Sequence, residues 1–152
     1  MVTDQQMWEE ARTVIEGLGY RIVDIQAKIV KGTLKVNAVV FHPNGVGLDA
    51  CVDVHKTLLP RLEVLYGDRD MTVEVSSPGI SRVFKNLKHE FAVFEGQAVR
   101  VLPKDQHDWI SGRIAGTDGE SVLLDRTGEE VRLEISNIQK AKLDDTQEAR
   151  NA

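Results

Sequence analysis

A strand that runs into Pro-Gly near the middle of the chain constrains the fold most. Met71, Val73 and Val75 alternate with polar residues, which predicts a half-buried β-strand. Pro78 cannot donate a backbone hydrogen bond and Gly79 admits positive φ, so we expect a rigid turn here. The residues before and after this turn follow different patterns. The turn is therefore a predicted domain junction.

The sequence pattern of residues 1–80, before the turn, predicts an α-β-β-α-β domain with two helices on one face of a three-stranded sheet. Thr3 and Gln6 fit a capping box, and apolar residues then recur at helical spacing until Gly19. Two alternating runs around Lys31-Gly32 predict a β-hairpin. In its first strand, four apolar residues are expected to share one face: Val23, Ile25, Ala27 and Ile29.

A second helix is predicted from about Leu48 to the break at 67–70. Its expected buried stripe consists of Leu48, Cys51, Val52, His55, Leu58, Leu59 and Leu62. Pro60 is expected to bend this helix or end its regular part, because proline lacks the N–H and clashes with the preceding turn.

The part after the turn predicts a second small domain, which makes the fold class α+β. Residues 81–95 form a junction and entry segment, in which Leu87, Phe91 and Phe94 lie on a short helical or irregular stretch. Five short strands with turns at regular spacing follow within 96–144 and indicate a small β-barrel. The polar residues 145–152 are expected to be a disordered tail.

Composition and charge favour a cytoplasmic protein without a membrane partner. No apolar run approaches the roughly 20 residues of a membrane helix, Met1–Asp4 lacks signal-peptide features, and Cys51 is the only cysteine. Residues 1–85 hold 10 Lys/Arg and 11 Asp/Glu, whereas 86–152 hold 9 and 13. This acidic balance argues against strong non-specific nucleic-acid binding. Any RNA contact is expected at a local patch, and the first half is the better candidate for it.

The sequence predicts no catalytic, cofactor-binding or metal residues. The four histidines have no metal-ligand spacing, and no phosphate-binding or dinucleotide-binding motif is present. Asp49 and Asp53 share a helix face, which is usually solvated, although paired carboxylates also carry out acid–base chemistry. A small hydrolase using these carboxylates therefore stays open as an alternative.

Known binding modules provide a partial comparison. The α-β-β-α-β order has a KH-like shape, but the GXXG run Gly116–Gly119 lies between predicted strands and indicates a hairpin turn. Trp109 is the one aromatic residue among the predicted barrel strands, too few for a polyproline groove or a base-stacking ladder. The barrel is therefore interpreted as a protein-docking module. Arg82 and Lys85 follow the junction turn, where loops often carry function.

The segment Val75–Arg82, V-S-S-P-G-I-S-R, closely resembles the signature of the ribosome maturation factor RimP family. The segments Gly19–Asp24, Leu48–Cys51 and Phe94–Val99 are also similar to that family, and the element order agrees along nearly the whole chain. Departures occur at Ser81, Val83 and Phe84, where the family commonly has Asp, Pro and Leu, and at Gly47, where it often has a Thr or Ser cap.

The resemblance implies a non-enzymatic assembly factor for the small ribosomal subunit, with an Sm-like or SH3-like C-terminal barrel. It also implies binding to immature small subunits, through ribosomal RNA and a basic ribosomal protein of the decoding centre. No cofactor is implied, and we expect a monomer. A cytosolic protein-binding adaptor without ribosomal partners is the alternative. The candidate ribosome-binding or inter-domain residues are Ser76, Ser77, Pro78, Gly79, Arg82 and Lys85.

Overall fold

In the computed structural model, which describes residues 2–144, the chain separates into two units between Pro78 and Gly79. The predicted tail, residues 145–152, lies outside the described residues. The elements of the first unit are α1 Asp4–Gly17, β1 Arg21–Val30, β2 Thr33–Phe41, α2 Leu48–Tyr66 and β3 Met71–Ser76. This is the α-β-β-α-β order expected from the sequence.

The N-terminal capping box forms as predicted. The Thr3 hydroxyl accepts the backbone N–H of Gln6 at 3.1 Å, and the Gln6 side chain accepts the backbone N–H of Thr3 at 2.8 Å. Gly19, with φ of +93°, follows the end of α1 in the left-handed conformation that glycine adopts readily. Local sequence thus determines both ends of this helix.

The β1–β2 hairpin turns through Lys31 and Gly32, both at positive φ. The predicted alternation in β1 is wrong at both ends, however. The register shifts between Ile22 and Asp24, and Ile22 and Val23 are both buried. A bulge adds one residue and so breaks the period of two. At the far end Ile29 is 62% exposed, beside the tip of the hairpin.

The sheet has the order β1-β2-β3, with β2 antiparallel to β1 and parallel to β3. A parallel neighbour requires a crossover, which α2 supplies. Alternate residues of β2 face a core shared with both helices, while Lys35 and Asn37 are exposed. The buried members of this core are Met7, Ala11, Val14, Ile15, Ile22, Ile25, Leu34, Val36, Ala38, Val40, Val54, Leu58, Leu62 and Val73.

The buried stripe of α2 is narrower than predicted. Val54, Leu58 and Leu62 are buried at a spacing of four, whereas Leu48 and Val52 are 80% and 41% exposed. Cys51, His55 and Leu59 are half-buried at the margins of the stripe. The prediction missed Val54 because apolar residues are spread around a wider arc of α2 than the face that packs against the sheet. The helix also continues through Pro60, which is exposed, so the expected end there was wrong.

The second unit begins with a short helix and continues as five strands. Its elements are α3 Leu87–Val93, β4 Ala98–Pro103, β5 Ile110–Thr117, β6 Ser121–Arg126, β7 Glu129–Glu134, a 3₁₀ turn Ile135–Asn137 and β8 Ile138–Leu143. The strands form one antiparallel sheet of order β7-β6-β5-β4-β8, and Gly116–Gly119 spans the end of β5 and a hairpin turn, as predicted. Within residues 2–144, β7 and β8 do not pair to close the sheet. The architecture is thus α+β with two sheets.

Candidate functional site

The candidate residues occupy a short connection between β3 and the second unit. β3 ends at Ser76, and residues 77–79 follow without regular secondary structure. The backbone N–H of Arg82 donates to the carbonyl of Gly79 at 3.1 Å, which closes a turn over residues 79–82. Only Ser77 and Pro78 therefore separate a strand of the first unit from a hydrogen-bonded turn of the second.

The serine and glycine positions of this connection are open to solvent. Ser76, Ser77 and Gly79 are exposed, and Pro78 is half-buried. Gly79 does not have positive φ, so the turn does not use the left-handed backbone that we expected at this residue. A Cβ added at Gly79 would meet no atom within 4 Å. The fold therefore tolerates a side chain here, and the bare backbone is accessible to a partner.

Arg82 makes an ion pair within the second unit. Its Nε donates to Oε1 of Glu90 at 2.6 Å, and the two side chains are 11% and 1% exposed. The other carboxylate oxygen accepts the backbone N–H groups of Lys85 and Asn86, each at 2.8 Å. Three donors thus surround a buried negative charge, and a buried charge requires such compensation.

This ion pair changes the interpretation of Arg82. Removing one partner from a buried pair leaves an uncompensated charge and costs about 3–5 kcal/mol. An Arg82→Glu substitution would place a second carboxylate against Glu90 and destabilise the unit. Loss of binding by that variant would therefore not identify Arg82 as a contact residue. A role for Arg82 in ribosome binding or junction geometry stays a prediction.

The residues after the turn extend the sheet of the second unit. The N–H of Leu143 donates to the carbonyl of Arg82 at 2.9 Å, and the N–H of Phe84 donates to the carbonyl of Ala141 at 2.8 Å. Val83 pairs with Lys142 as an isolated antiparallel bridge. Residues 82–84 thus lie along β8 as a short edge segment.

Phe84 fixes this segment in the core. Its ring centroid lies 5.3 Å from that of Phe91 in an edge-on arrangement and 5.2 Å from that of Phe94 in a stacked one. The three rings are buried together, and such pairs contribute about 0.5–1.5 kcal/mol beyond area burial. The departure from the family pattern at Phe84 therefore has a packing role. The side chain of Lys85, the next residue, is exposed, and its backbone N–H donates to the Glu90 carboxylate.

The residues weighed for catalysis remain dispersed. Asp49 and Asp53 are exposed on α2, and the His42 imidazole accepts the backbone N–H of Asn44 at 3.0 Å. Across residues 2–144, no three His, Cys, Asp or Glu side chains are grouped so as to hold a metal ion. In the same part of the chain, no helix combines the length and apolar character needed to cross a membrane.

Sequence reasoning missed Glu90, the centre of the junction's polar contacts. A signal was present, since an acidic residue adjoins Phe91 in a short apolar segment, eight positions after Arg82. Charged residues are almost never fully buried unless they are paired. Sequence spacing could not provide the pairing, because the contact depends on how the turn places Arg82 over the start of α3.

The amino-acid sequence is similar to known proteins of one family. The model of the RimP N-terminal domain matches residues 10–81. Ribosome maturation factor RimP of Borrelia turicatae is 27% identical and that of Borrelia hermsii 28% identical, each over 94% of this chain and 97% of the relative. RimP of Borrelia recurrentis is 26% identical over 92% of this chain and 95% of the relative. The resemblance carried by the segment Val75–Arg82 is thereby confirmed, and this chain is similar to ribosome maturation factor RimP proteins along nearly its whole length.

Proposed function

We propose that this protein is a ribosome maturation factor that binds immature small ribosomal subunits and assists their assembly. The observation that carries the proposal is its likeness, over 92–94% of its length, to relatives named ribosome maturation factor RimP. It acts by binding, without catalysis or a cofactor, as a monomer in the cytoplasm and away from membranes.

In this proposal, two domains dock together on the subunit. The N-terminal domain comprises residues 1–80 and has a KH-like shape, and the C-terminal domain comprises 96–144, with 81–95 as the junction and entry. Linking two weak contacts raises the effective concentration of the second, so modest individual affinities suffice. We further propose that the C-terminal sheet is an Sm-like or SH3-like barrel, which its antiparallel order of five short strands supports.

The partners in this proposal are ribosomal RNA and a basic ribosomal protein of the decoding centre. The distribution of carboxylates supports the second partner. Glu129, Glu130 and Glu134 are exposed on β7, and Asp125 is exposed near the end of β6. This acidic edge suits a basic protein, because complementary charge steers association and selects partners.

The junction is proposed to touch the subunit or to set the geometry between the domains. The residues assigned to it are Ser76, Ser77, Pro78, Gly79, Arg82 and Lys85. Their accessibility differs, because Ser76, Ser77, Gly79 and Lys85 are exposed whereas Arg82 is largely buried on Glu90. Exposed positions are therefore the ones to substitute in a binding test.

Sucrose-gradient sedimentation tests the proposed function. The protein should sediment with free small subunits and be absent from translating ribosomes, and deleting its gene should increase the pool of immature small subunits. Sedimentation near the top of the gradient, with normal subunit maturation in the deletion strain, would contradict the proposal and favour an adaptor without ribosomal partners.

Gly79→Gln tests the junction without disturbing the fold. A Cβ at this position would meet no atom within 4 Å and Gly79 lacks positive φ, so the thermal midpoint should stay unchanged while co-sedimentation weakens. Gly17→Gln is the matched control, because Gly17 is also exposed, has open space at Cβ and lacks positive φ. Equal co-sedimentation of both variants with the parent would remove Gly79 from the binding surface.

A further inference from the structure

The sheet of the second unit carries a tryptophan beside two cations. Lys142 Nζ lies 5.0 Å from the ring centroid of Trp109, and Arg100 Cζ lies 5.7 Å from it. The register places Arg100 on β4 directly opposite Lys142 on β8. All three side chains are half-buried, so each keeps a solvent-facing part. We call these three residues the Trp109 patch.

Two like charges directly opposite on neighbouring strands destabilise a sheet. Within residues 2–144, neither Arg100 nor Lys142 has a carboxylate within ion-pair distance to offset the repulsion. The indole ring offsets part of it, since the quadrupole of an aromatic face attracts a nearby cation. The patch is therefore a concentration of positive charge that no carboxylate within residues 2–144 pairs with.

The sign of this patch is opposite to the net charge of the unit. Three exposed glutamates, Glu129, Glu130 and Glu134, lie on β7, which is separated from β4 by β6 and β5 in the sheet order. Lys140, opposite Leu102 in the same β4–β8 ladder, adds a third cation and is exposed. Three glutamates thus lie on β7, beside Arg132, whereas the strand pair β4–β8 carries the cations Arg100, Lys140 and Lys142.

We propose that the Trp109 patch binds single-stranded RNA. Arg100, Lys142 and Lys140 would neutralise backbone phosphates, and a base or ribose would pack against Trp109. Single-strand binders combine such cations with an aromatic platform, on which bases of any sequence stack. The carboxylates of an acidic protein would pair with the cations, but they would not stack on the indole ring between them. This inference deepens the proposed function and rests on it, since it assigns the RNA contact to the second unit.

The test uses the full chain carrying Trp8→Phe, so that Trp109 is the remaining tryptophan of the two. A 12-nucleotide oligouridylate at 50 mM salt should quench Trp109 fluorescence. Arg100→Gln with Lys142→Gln should weaken binding roughly tenfold and lower the slope of log affinity against log salt by about 1.4, as expected for two lost phosphate contacts. Lys88→Gln with Arg132→Gln is the control with the same change in net charge outside the patch.

Equal weakening in the control pair would overturn the proposal, because the effect would then come from net charge alone. Quenching by a polyglutamate peptide that competes with oligouridylate would overturn it in favour of an acidic protein partner. Co-sedimentation with small subunits is measured on the same variants. If wild-type protein co-sediments and the patch variant binds oligouridylate unchanged, only this inference fails. If wild-type protein does not co-sediment, the proposed function itself fails.

Discussion

Replacing Arg82 with methionine should lower the free energy of unfolding of the second unit by about 3 kcal/mol. The substitution removes a charge-assisted hydrogen bond of 2.6 Å, and such bonds contribute about 1.5–3 kcal/mol. Glu90, whose side chain is 1% exposed, then keeps the N–H groups of Lys85 and Asn86 as hydrogen-bond donors. Because these donors remain, the expected loss lies at the lower end of the range for a broken buried pair.

Urea unfolding followed by Trp109 fluorescence, in a Trp8→Phe background, measures this loss in the second unit. In a thermal scan, 3 kcal/mol corresponds to a decrease of about 12–24 °C in the melting temperature of a domain this small. Combining Arg82→Met with Glu90→Gln should cost about 1–2 kcal/mol less than the sum of the single variants. The reason is that a neutral glutamine carries no buried charge that requires a counter-ion.

Arg132→Met is the matched control, because its ion pair with Asp118 joins side chains that are 60% and 55% exposed. Exposed pairs contribute about 0–1 kcal/mol, so this variant should stay within that range. The reasoning fails if Arg82→Met is no more destabilising than Arg132→Met. It also fails if the unfolding free energies lost in the Arg82 and Glu90 single variants sum to the loss in the double variant. Substitutions of two directly interacting residues are not additive.

Three further predictions concern stability. Thr3→Ala should cost about 1 kcal/mol through loss of the capping box, measured by thermal melting of far-UV circular dichroism. Leu58→Ala should cost about 2–5 kcal/mol, whereas Val64→Ala on the same helix should stay within about 0.5 kcal/mol, because Leu58 is fully buried and Val64 is 85% exposed. The backbone N–H groups of Ser121 and Glu120 hold the pKa of Asp118 at about 2, below its ordinary 3.8. Its stabilisation is therefore fully present above pH 3.8 and lost as pH falls through 2, so the melting temperatures of wild type and Asp118→Asn should converge over that window. A constant difference would contradict this.

Local signals in the sequence predicted most elements of the fold. The capping box at Thr3, the turn at Lys31-Gly32 and the five short strands after Gly96 were all found in the structure. Each depends on residues within a few positions of one another, and hydrogen-bonding or steric rules at that range need no tertiary partner. The errors arose at positions where packing between elements decides whether an apolar side chain is buried. Apolar residues such as Leu48 and Ile29 fit a periodic pattern, yet no part of the core covers them.

The sequence likewise located part of the candidate site and missed the rest. The segment V-S-S-P-G marked both the resemblance to RimP proteins and the place where the two units meet along the chain. Sequence reasoning placed Arg82 among the candidate ribosome-binding or inter-domain residues and overlooked Glu90, because their pairing depends on a turn followed by a helix start. It likewise treated Trp109 as an isolated aromatic, since Arg100 and Lys142 approach it only because β4 pairs with β8.

The sequence by itself determined the order of helices and strands, the position of the junction and the resemblance to RimP proteins, because turn residues, periodicity and the V-S-S-P-G segment are properties of neighbouring residues. Tertiary structure alone decided which side chains near the junction are accessible. It buries Arg82 against Glu90, leaves Ser77 and Gly79 exposed and gathers two cations around Trp109. The physical reason is that the exposure and charge balance of a side chain depend on neighbours that strand register and helix packing bring together.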